Sequence, residues 1–346
     1  MAGRNKKEAS RLSSLGALTA AGMGAVMGLK AMLREKVSFS GRTVLLTGGS
    51  RGLGLVMARQ FLAEGARVII CAREEVELSR ARDELEGQGG EVLAIPCDVS
   101  DRVQVEAMVA QVHERFGAVD VLVNNAGGIQ VGPLESMAEE DFVEAMKVHF
   151  WAALYTSLAV LPEMKRRGWG RIVNISSIGG KVSIPHLVPY SASKFALVGL
   201  SDGMRAELAQ DGILVTTVCP TLMRTGSPPN AFFKGDHEAE YAWFVLGDSL
   251  PGVSMNAERA ARKIIAACRR GDAEALVGWP AKMAALVRTL APGLTAAVLA
   301  QVNRMMPQDS STDRYRGRDS ETPLTRSWVT KLTRQAAQKN NEDLLH

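Results

Sequence analysis

Between Arg42 and Gly278, short runs of Val, Ile and Leu alternate with longer stretches whose apolar residues recur every three or four positions. The strand candidates are RTVLLT, ARVII, EVLAIP, VDVLVN, GRIVNIS, ILVTTV and EALVG, seven in all. The stretches between them have helical spacing. Because the strand runs are continuously apolar instead of alternating, both faces of the sheet are expected to be covered, as in parallel sheets flanked by helices. The expected fold class is α/β, a doubly wound Rossmann-type fold with a seven-stranded parallel sheet. Right-handed crossovers place the connecting loops at the carboxyl edge of such a sheet, where ligands bind.

Composition excludes some function classes. The net charge is +4, yet Met1 to Arg42 holds eight Lys/Arg against Glu8 and Glu35, so the rest of the chain is slightly acidic. A nearly neutral body lacks the basic face that nucleic-acid binding requires, and no nucleic-acid partner is expected. Cys71, Cys97, Cys219 and Cys268 lie far apart and form no CxxC pair, which points to neither a metal site nor a disulfide framework. They read as small core residues in a reducing compartment.

LLTGGSRGLG, Leu45 to Gly54, puts four glycines at a strand-to-helix corner. Missing side chains let the backbone turn sharply and approach a pyrophosphate, while amides at the start of the next helix face its charge. Gly48, Gly52 and Gly54 are placed for this. Motifs further along the chain make the corner specific. TGGSRGLG (Thr47 to Gly54) is similar to the TGxxxGxG corner of the classical short-chain dehydrogenase/reductase family. NNAG (Asn124 to Gly127) resembles its strand-end motif, and YSASK (Tyr190 to Lys194) its YxxxK, with Ser177 of NISS thirteen residues before Tyr190. CPTLMRT resembles the PGxxxT segment that closes over nicotinamide. The resemblance spans Phe39 to Gly278.

It implies an NAD(P)(H)-dependent dehydrogenase/reductase acting on CH–OH groups, with Ser177, Tyr190 and Lys194 as catalytic residues. The implied cofactor contacts are Gly48, Ser50, Arg51, Gly52, Leu53, Gly54, Arg73, Asp98, Val99, Asn125, Ala126, Gly127, Tyr190, Lys194, Pro220 and Thr225. Among these, Asp98 of CDVS is the adenine contact, Lys194 holds the nicotinamide ribose, and Thr225 meets the carboxamide. Two positions depart from the family pattern. His149 stands where an asparagine commonly holds a relay water, and reads either as a substitute in that relay or as a packed histidine. Thr221 replaces the glycine after Pro220.

The residue types suit the chemistry. Hydride transfer to a ketone leaves charge on oxygen, which needs a proton donor and a second hydrogen bond, roles that fit Tyr190 and Ser177. An ammonium one helical turn on, Lys194, is expected to favour the phenolate. The second strand ends CAR, without the acid that accepts from the ribose hydroxyls of NAD, and Arg73 with Arg51 can neutralise a 2′-phosphate. NADP(H) is the expected cofactor, with NAD(H) the alternative. The segment Thr225 to Met255 carries Phe232, Phe233, Tyr241, Trp243 and Phe244. They form either an apolar lid over the substrate or the packing that seats that lid. The expected substrate is a small apolar, lipid-like ketone or secondary alcohol. The alternatives are a 3-oxoacyl thioester, or a catalytically weak cofactor-sensing or scaffolding role on the same fold.

Four segments result: a basic arm with a hydrophobic helix (1–36), the catalytic body (37–280), a helical extension (281–306) and a polar tail (307–346) expected to be largely disordered with a short final helix. Leu12 to Leu29 is an uncharged run of 18 residues between basic clusters. At 1.5 Å per residue it is ~27 Å long as a helix, marginal for spanning a membrane and suited to lying on one. The reading is a cytoplasmic enzyme at a membrane face; helix packing on the body or a partner is the competing use. A homodimer or homotetramer is expected from the resemblance.

Overall fold

The computed structural model describes residues 37–249, 254–323, 325 and 330–342. The arm and its expected hydrophobic helix lie outside the described residues. Seven parallel strands form the central sheet: β1 (Thr43–Thr47), β2 (Arg67–Ala72), β3 (Val92–Pro96), β4 (Val121–Asn124), β5 (Gly170–Ile175), β6 (Ile213–Pro220) and β7 (Glu274–Val277), in the spatial order β7-β6-β5-β4-β1-β2-β3. The order reverses between β1 and β4, which opens a crevice at their carboxyl ends. Every residue of β1, β4, β5 and β6 is buried, the expected state for continuously apolar strands covered on both faces.

Helices α1 (Gly52–Ala63), α2 (Glu75–Glu86) and α3 (Arg102–Phe116) follow the first three strands. Asp101 caps α3 by accepting from the Val103 and Gln104 amides. The long middle helix is interrupted: α4 (Glu139–Met146) passes through a π-helical turn, Lys147–Trp151, into α5 (Ala152–Arg167). The wider turn puts His149 inside the protein. α6 (Val188–Leu208) carries Pro189 in its first turn, where a missing N–H costs nothing. The lid is α7 (His237–Ser249), and α8 (Ala257–Arg270) packs against α1. Beyond β7, α9 (Trp279–Leu290) and α10 (Pro292–Asn303) break at Ala291, where Pro292 starts a new helix.

Asp120 holds the amino edge of the sheet together. Its carboxylate accepts from the Thr43 amide at 2.9 Å and from Arg167 at 2.6 Å.

The described part of the polar tail is structured. Tyr315–Arg316 pairs antiparallel with Phe232–Phe233, which pairs parallel with Gln130–Val131. Gly317 donates to the Ala231 carbonyl at 2.9 Å, and Arg314 stacks on the Phe232 ring at 3.8 Å. Helix α11 (Lys331–Lys339) follows. A two-residue strand has no periodicity to read, and its partner is more than eighty residues away, so composition alone points to disorder.

The β1–α1 corner closes with no spare volume. A Cβ at Gly54 would lie 2.1 Å from the Gly48 carbonyl oxygen and 2.8 Å from Asn125 Nδ2. Gly54→Ala is therefore expected to lower the unfolding free energy by about 1–3 kcal/mol through overpacking. Urea unfolding checks this, and an unchanged midpoint contradicts it.

Candidate active site

The glycine corner, Arg73, Asp98, Asn125, Ser177 and Pro220 fall at the carboxyl ends of strands, and Tyr190 and Lys194 on α6 face the same crevice. Thr47, the last residue of β1, accepts from the Asn125 and Ala126 amides at 2.9 and 3.0 Å, which ties the glycine corner to the end of β4. Asn125 Nδ2 donates to the carbonyls of Thr47 and Gly48, both at 3.1 Å. Gly48 has φ +64°, and a Cβ there would lie 2.9 Å from the Ala126 Cα. Only glycine combines that backbone with that approach. Ser50, Leu53 and Val99 are buried around this corner. The Asp98 carboxylate accepts from the Ser100 amide and hydroxyl at 2.9 and 2.7 Å, which fixes its orientation beside the pocket.

Ser177 lies two residues beyond β5, where it caps the turn Ile178–Gly180 by accepting from the Gly179 amide at 3.0 Å. Tyr190 and Lys194 lie one turn apart on α6. These three line a cavity of about 620 Å³ together with Thr225, Phe232 and Phe244. Lys194 Nζ donates to the Ile175 carbonyl at 2.8 Å and sits 5.7 Å from the Tyr190 ring centre. Burial lowers the Lys194 pKa to about 7. Burial also raises that of Tyr190, against a hydrogen bond with Ser177 that pulls it down. Sequence reasoning expects the ammonium to favour the phenolate; in this structure the largest influence on the phenol is desolvation, which favours its protonated form.

His149 is buried, and both its ring nitrogens are engaged. Nε2 accepts from the Gly128 amide at 3.3 Å, so Nδ1 carries the hydrogen and faces Ser193 Oγ at 2.8 Å. Ser193 in turn donates to the Tyr190 carbonyl at 2.8 Å. Burial, with Lys194 adding to it, lowers the imidazole pKa well below its usual value. The ring is a neutral strut between the β4 loop and α6, edge-on to Tyr190 at 5.3 Å.

Arg51 and Arg73 both border the cavity. Arg51 is already engaged, pairing with the buried Glu77 at 2.8 Å, while Arg73 is exposed on the rim. The lid aromatics divide their work. Phe233, Tyr241 and Phe244 are buried in an apolar cluster with Val131, Leu187 and Val245, and Phe244 also lines the cavity together with Phe232. Pro220 closes β6 at the cavity wall, Thr221 donates its amide to the Val277 carbonyl, and Thr225 Oγ1 lies 2.7 Å from Ser227 Oγ.

Sequence reasoning missed three buried contacts. His186, at φ +60°, meets Glu240 at 2.5 Å, and Trp243 Nε1 donates to the same carboxylate at 2.6 Å, which fastens α7 to the loop before Tyr190. Lys234 pairs with Asp141 at 2.7 Å, which fastens the lid to α4. Third, the chain end reaches the glycine corner. Gly52 donates its amide to the Asn340 carbonyl at 2.9 Å, and Asn341 Nδ2 donates to the carbonyls of Ser50 and Glu77. The Glu342 carboxyl is buried between Gly52 and Gly226, where added Cβ atoms would each lie 2.7 Å from it. Charged residues far apart in sequence leave no spacing signal for such pairs.

A short chain dehydrogenase profile matches residues 42–232. The ketoacyl reductase HetN of a Nostoc species is 38% identical over 183 residues, 53% of this chain and 64% of that protein. Dehydrogenase/reductase SDR family member 7B of Mus musculus is 31% identical over 285 residues, 81% of this chain and 87% of that protein. A gluconate 5-dehydrogenase from Burkholderia cenocepacia, solved in complex with NADP and tartrate, matches with a TM-score of 0.63 at 27% identity, over 72% of this chain and 98% of that one. With a glycine corner, a Ser–Tyr–Lys cluster and a profile match over more than half of its length, this protein belongs to the short chain dehydrogenase family.

Proposed function

We propose that the protein interconverts an apolar, lipid-like ketone and its secondary alcohol with NADP(H). The observation that carries this reading is the meeting of Ser177, Tyr190 and Lys194 in one cavity that also has Ile184, Leu187, Met223 and Phe244 on its walls. The glycine corner fits a dinucleotide, since Gly48 and Gly54 leave open the approach that a Cβ would fill. Bound there, NADP(H) supplies the hydride. Tyr190, whose protonated form burial favours, donates its proton to the carbonyl oxygen as charge develops, and Ser177 holds that oxygen through its hydroxyl. Lys194, whose pKa burial lowers, returns a proton toward the phenol and is placed for the ribose. Asp98 is assigned to the adenine, Thr225 to the carboxamide, and His149 to positioning α6.

NADP(H) is favoured because the residue directly after β2 is Arg73 and not an acid, and two structural neighbours were solved with NADP. A second reading, a 3-oxoacyl thioester reductase, draws on ketoacyl reductase relatives and on Arg316 and Arg318 at the cavity wall, which suit an anionic carrier. Exposed Trp151, Leu158 and Phe195 support assembly into a homodimer or homotetramer, and the basic arm supports a site of action at the cytoplasmic face of a membrane.

Oxidation of NADPH with a panel of hydrophobic ketones and 3-oxoacyl thioesters separates the two readings. Tyr190→Phe is expected to cut turnover on the accepted substrate at least about a hundredfold while leaving cofactor affinity nearly intact, and Lys194→Ala to damage both. A Phe variant that keeps a tenth of the activity assigns the acid elsewhere. Arg73→Asp is expected to narrow or reverse the preference for NADPH over NADH by about 1–3 kcal/mol in kcat/KM. Equal efficiency with both cofactors in the unmodified protein refutes the assignment.

A further inference from the structure

The described surface has one concentrated apolar region. Of the exposed large apolar side chains, about half lie between Trp279 and Met305. In α9 only Ala281 is buried, and in α10 no residue is. Met283, Leu286 and Leu290 recur along one face of α9, and Leu294, Val298 and Val302 along one face of α10. Monomeric soluble proteins seldom expose so many adjacent apolar groups without a partner. The charge pattern identifies the partner. No Asp or Glu occurs between Glu274 and Asp309, whereas Lys282, Arg288 and Arg304 do.

We propose that the α9–α10 hairpin docks the folded body onto an anionic lipid bilayer, with its apolar rows in the acyl boundary and its cations at the headgroups. Twelve residues give each helix ~18 Å, well short of a ~30 Å hydrocarbon core, so the hairpin lies in the interface. It is rooted at the cavity. Gly278 joins β7 to α9, and a Cβ there would lie 2.6 Å from Thr221, itself on the cavity wall.

All four native cysteines are buried, so Leu290→Cys in the full chain takes an environment-sensitive fluorophore selectively. The label reads the hairpin itself and is blind to the basic arm. Vesicles of equal phosphatidylcholine and phosphatidylglycerol are expected to shift its emission to the blue, while pure phosphatidylcholine and a label at Val103→Cys show no shift. Lys282→Gln, Arg288→Gln and Arg304→Gln together should raise the lipid needed for half the shift by about tenfold or more. No shift, or an equal one on neutral vesicles, overturns the proposal. A shift that grows with protein concentration without lipid also overturns it and assigns the face to a second copy of the chain.

A separate observation concerns the chain end. The segment Asn340–Glu342 takes the Gly52 amide, bridges Ser50 to Glu77 and leaves Glu342 Oε2 buried without a hydrogen bond. A helix N-terminus built to meet phosphate thus already faces a carboxyl group. We infer that this segment is a self-inhibitory plug, displaced when the dinucleotide enters, an inference that rests on the cofactor reading above. Burial pushes the Glu342 carboxyl up to about 8, with Arg51 opposing and Asp248 and Glu77 adding to the rise. The docked form therefore holds a proton that the released form, with an ordinary carboxylate, gives up. Docking weakens as pH rises from the usual carboxylate range through about 8, and levels off above that.

NADPH binding, followed by its fluorescence with the full chain, tests this. Affinity in the unmodified protein should rise across that window. Asn341→Ala with Glu342→Ala should bind about tenfold tighter at low pH, and Glu342→Gln should stay weak and flat with pH. Equal dissociation constants in all three overturn the plug while leaving the cofactor reading in place. Failure of every variant to bind NADPH or NADH removes the cofactor reading and the plug with it.

Discussion

The close approach of the β1–α1 corner to the end of β4 is the constraint on which the site depends. Thr47 Oγ1 gathers two amides from Asn125 and Ala126, and Asn125 returns two hydrogen bonds to the corner. The exchange is compact because Gly48 and Gly54 bring no Cβ into it. It fixes the distance between the first helix of the fold and the strand that leads toward His149 and the middle helix. The crevice where strand order reverses is therefore held at its base by backbone groups, which vary little in position, and is shaped above by side chains and a lid.

Burial governs the electrostatics above that base. Lys194 is drawn toward neutrality, Tyr190 toward its protonated form and His149 far below its normal range, each with desolvation as the leading cause. Opposite charge is kept at the margin, where Arg51 meets Glu77, and in the lid, where Lys234 meets Asp141. Withdrawn from water, Ser177, Tyr190 and Lys194 lie where a hydrogen bond to a developing charge is stronger than it would be in solvent.

Much of this was legible from residues alone. The seven apolar runs predict the seven parallel strands, because burial on both faces leaves no alternation to misread. The family resemblance carried by the glycine corner and by Ser177, Tyr190 and Lys194 predicts the cluster, and the three side chains line one cavity. What escaped is what depends on pairing across long separations. The His186–Glu240 contact joins residues from a loop and a lid, the π turn that inverts His149 into the interior has no propensity signature, and Arg51 reads as available until Glu77 is seen beside it. The two-residue strand Tyr315–Arg316 is polar and exposed, so nothing in its composition distinguishes it from solvated chain.

That small strand bears on how the molecule comes into being. The three-stranded patch is assembled from Gln130–Val131, Phe232–Phe233 and Tyr315–Arg316, so its last member is added near the end of the chain. The central sheet needs nothing after Val277. During synthesis, the body can therefore close while the wall over Phe232 is still missing, since domains fold as their chain emerges. A nascent chain would hold a finished sheet and an open mouth, with the strand over Phe232 added about forty residues after Val277 and the contacts of Asn340–Glu342 at the glycine corner later still.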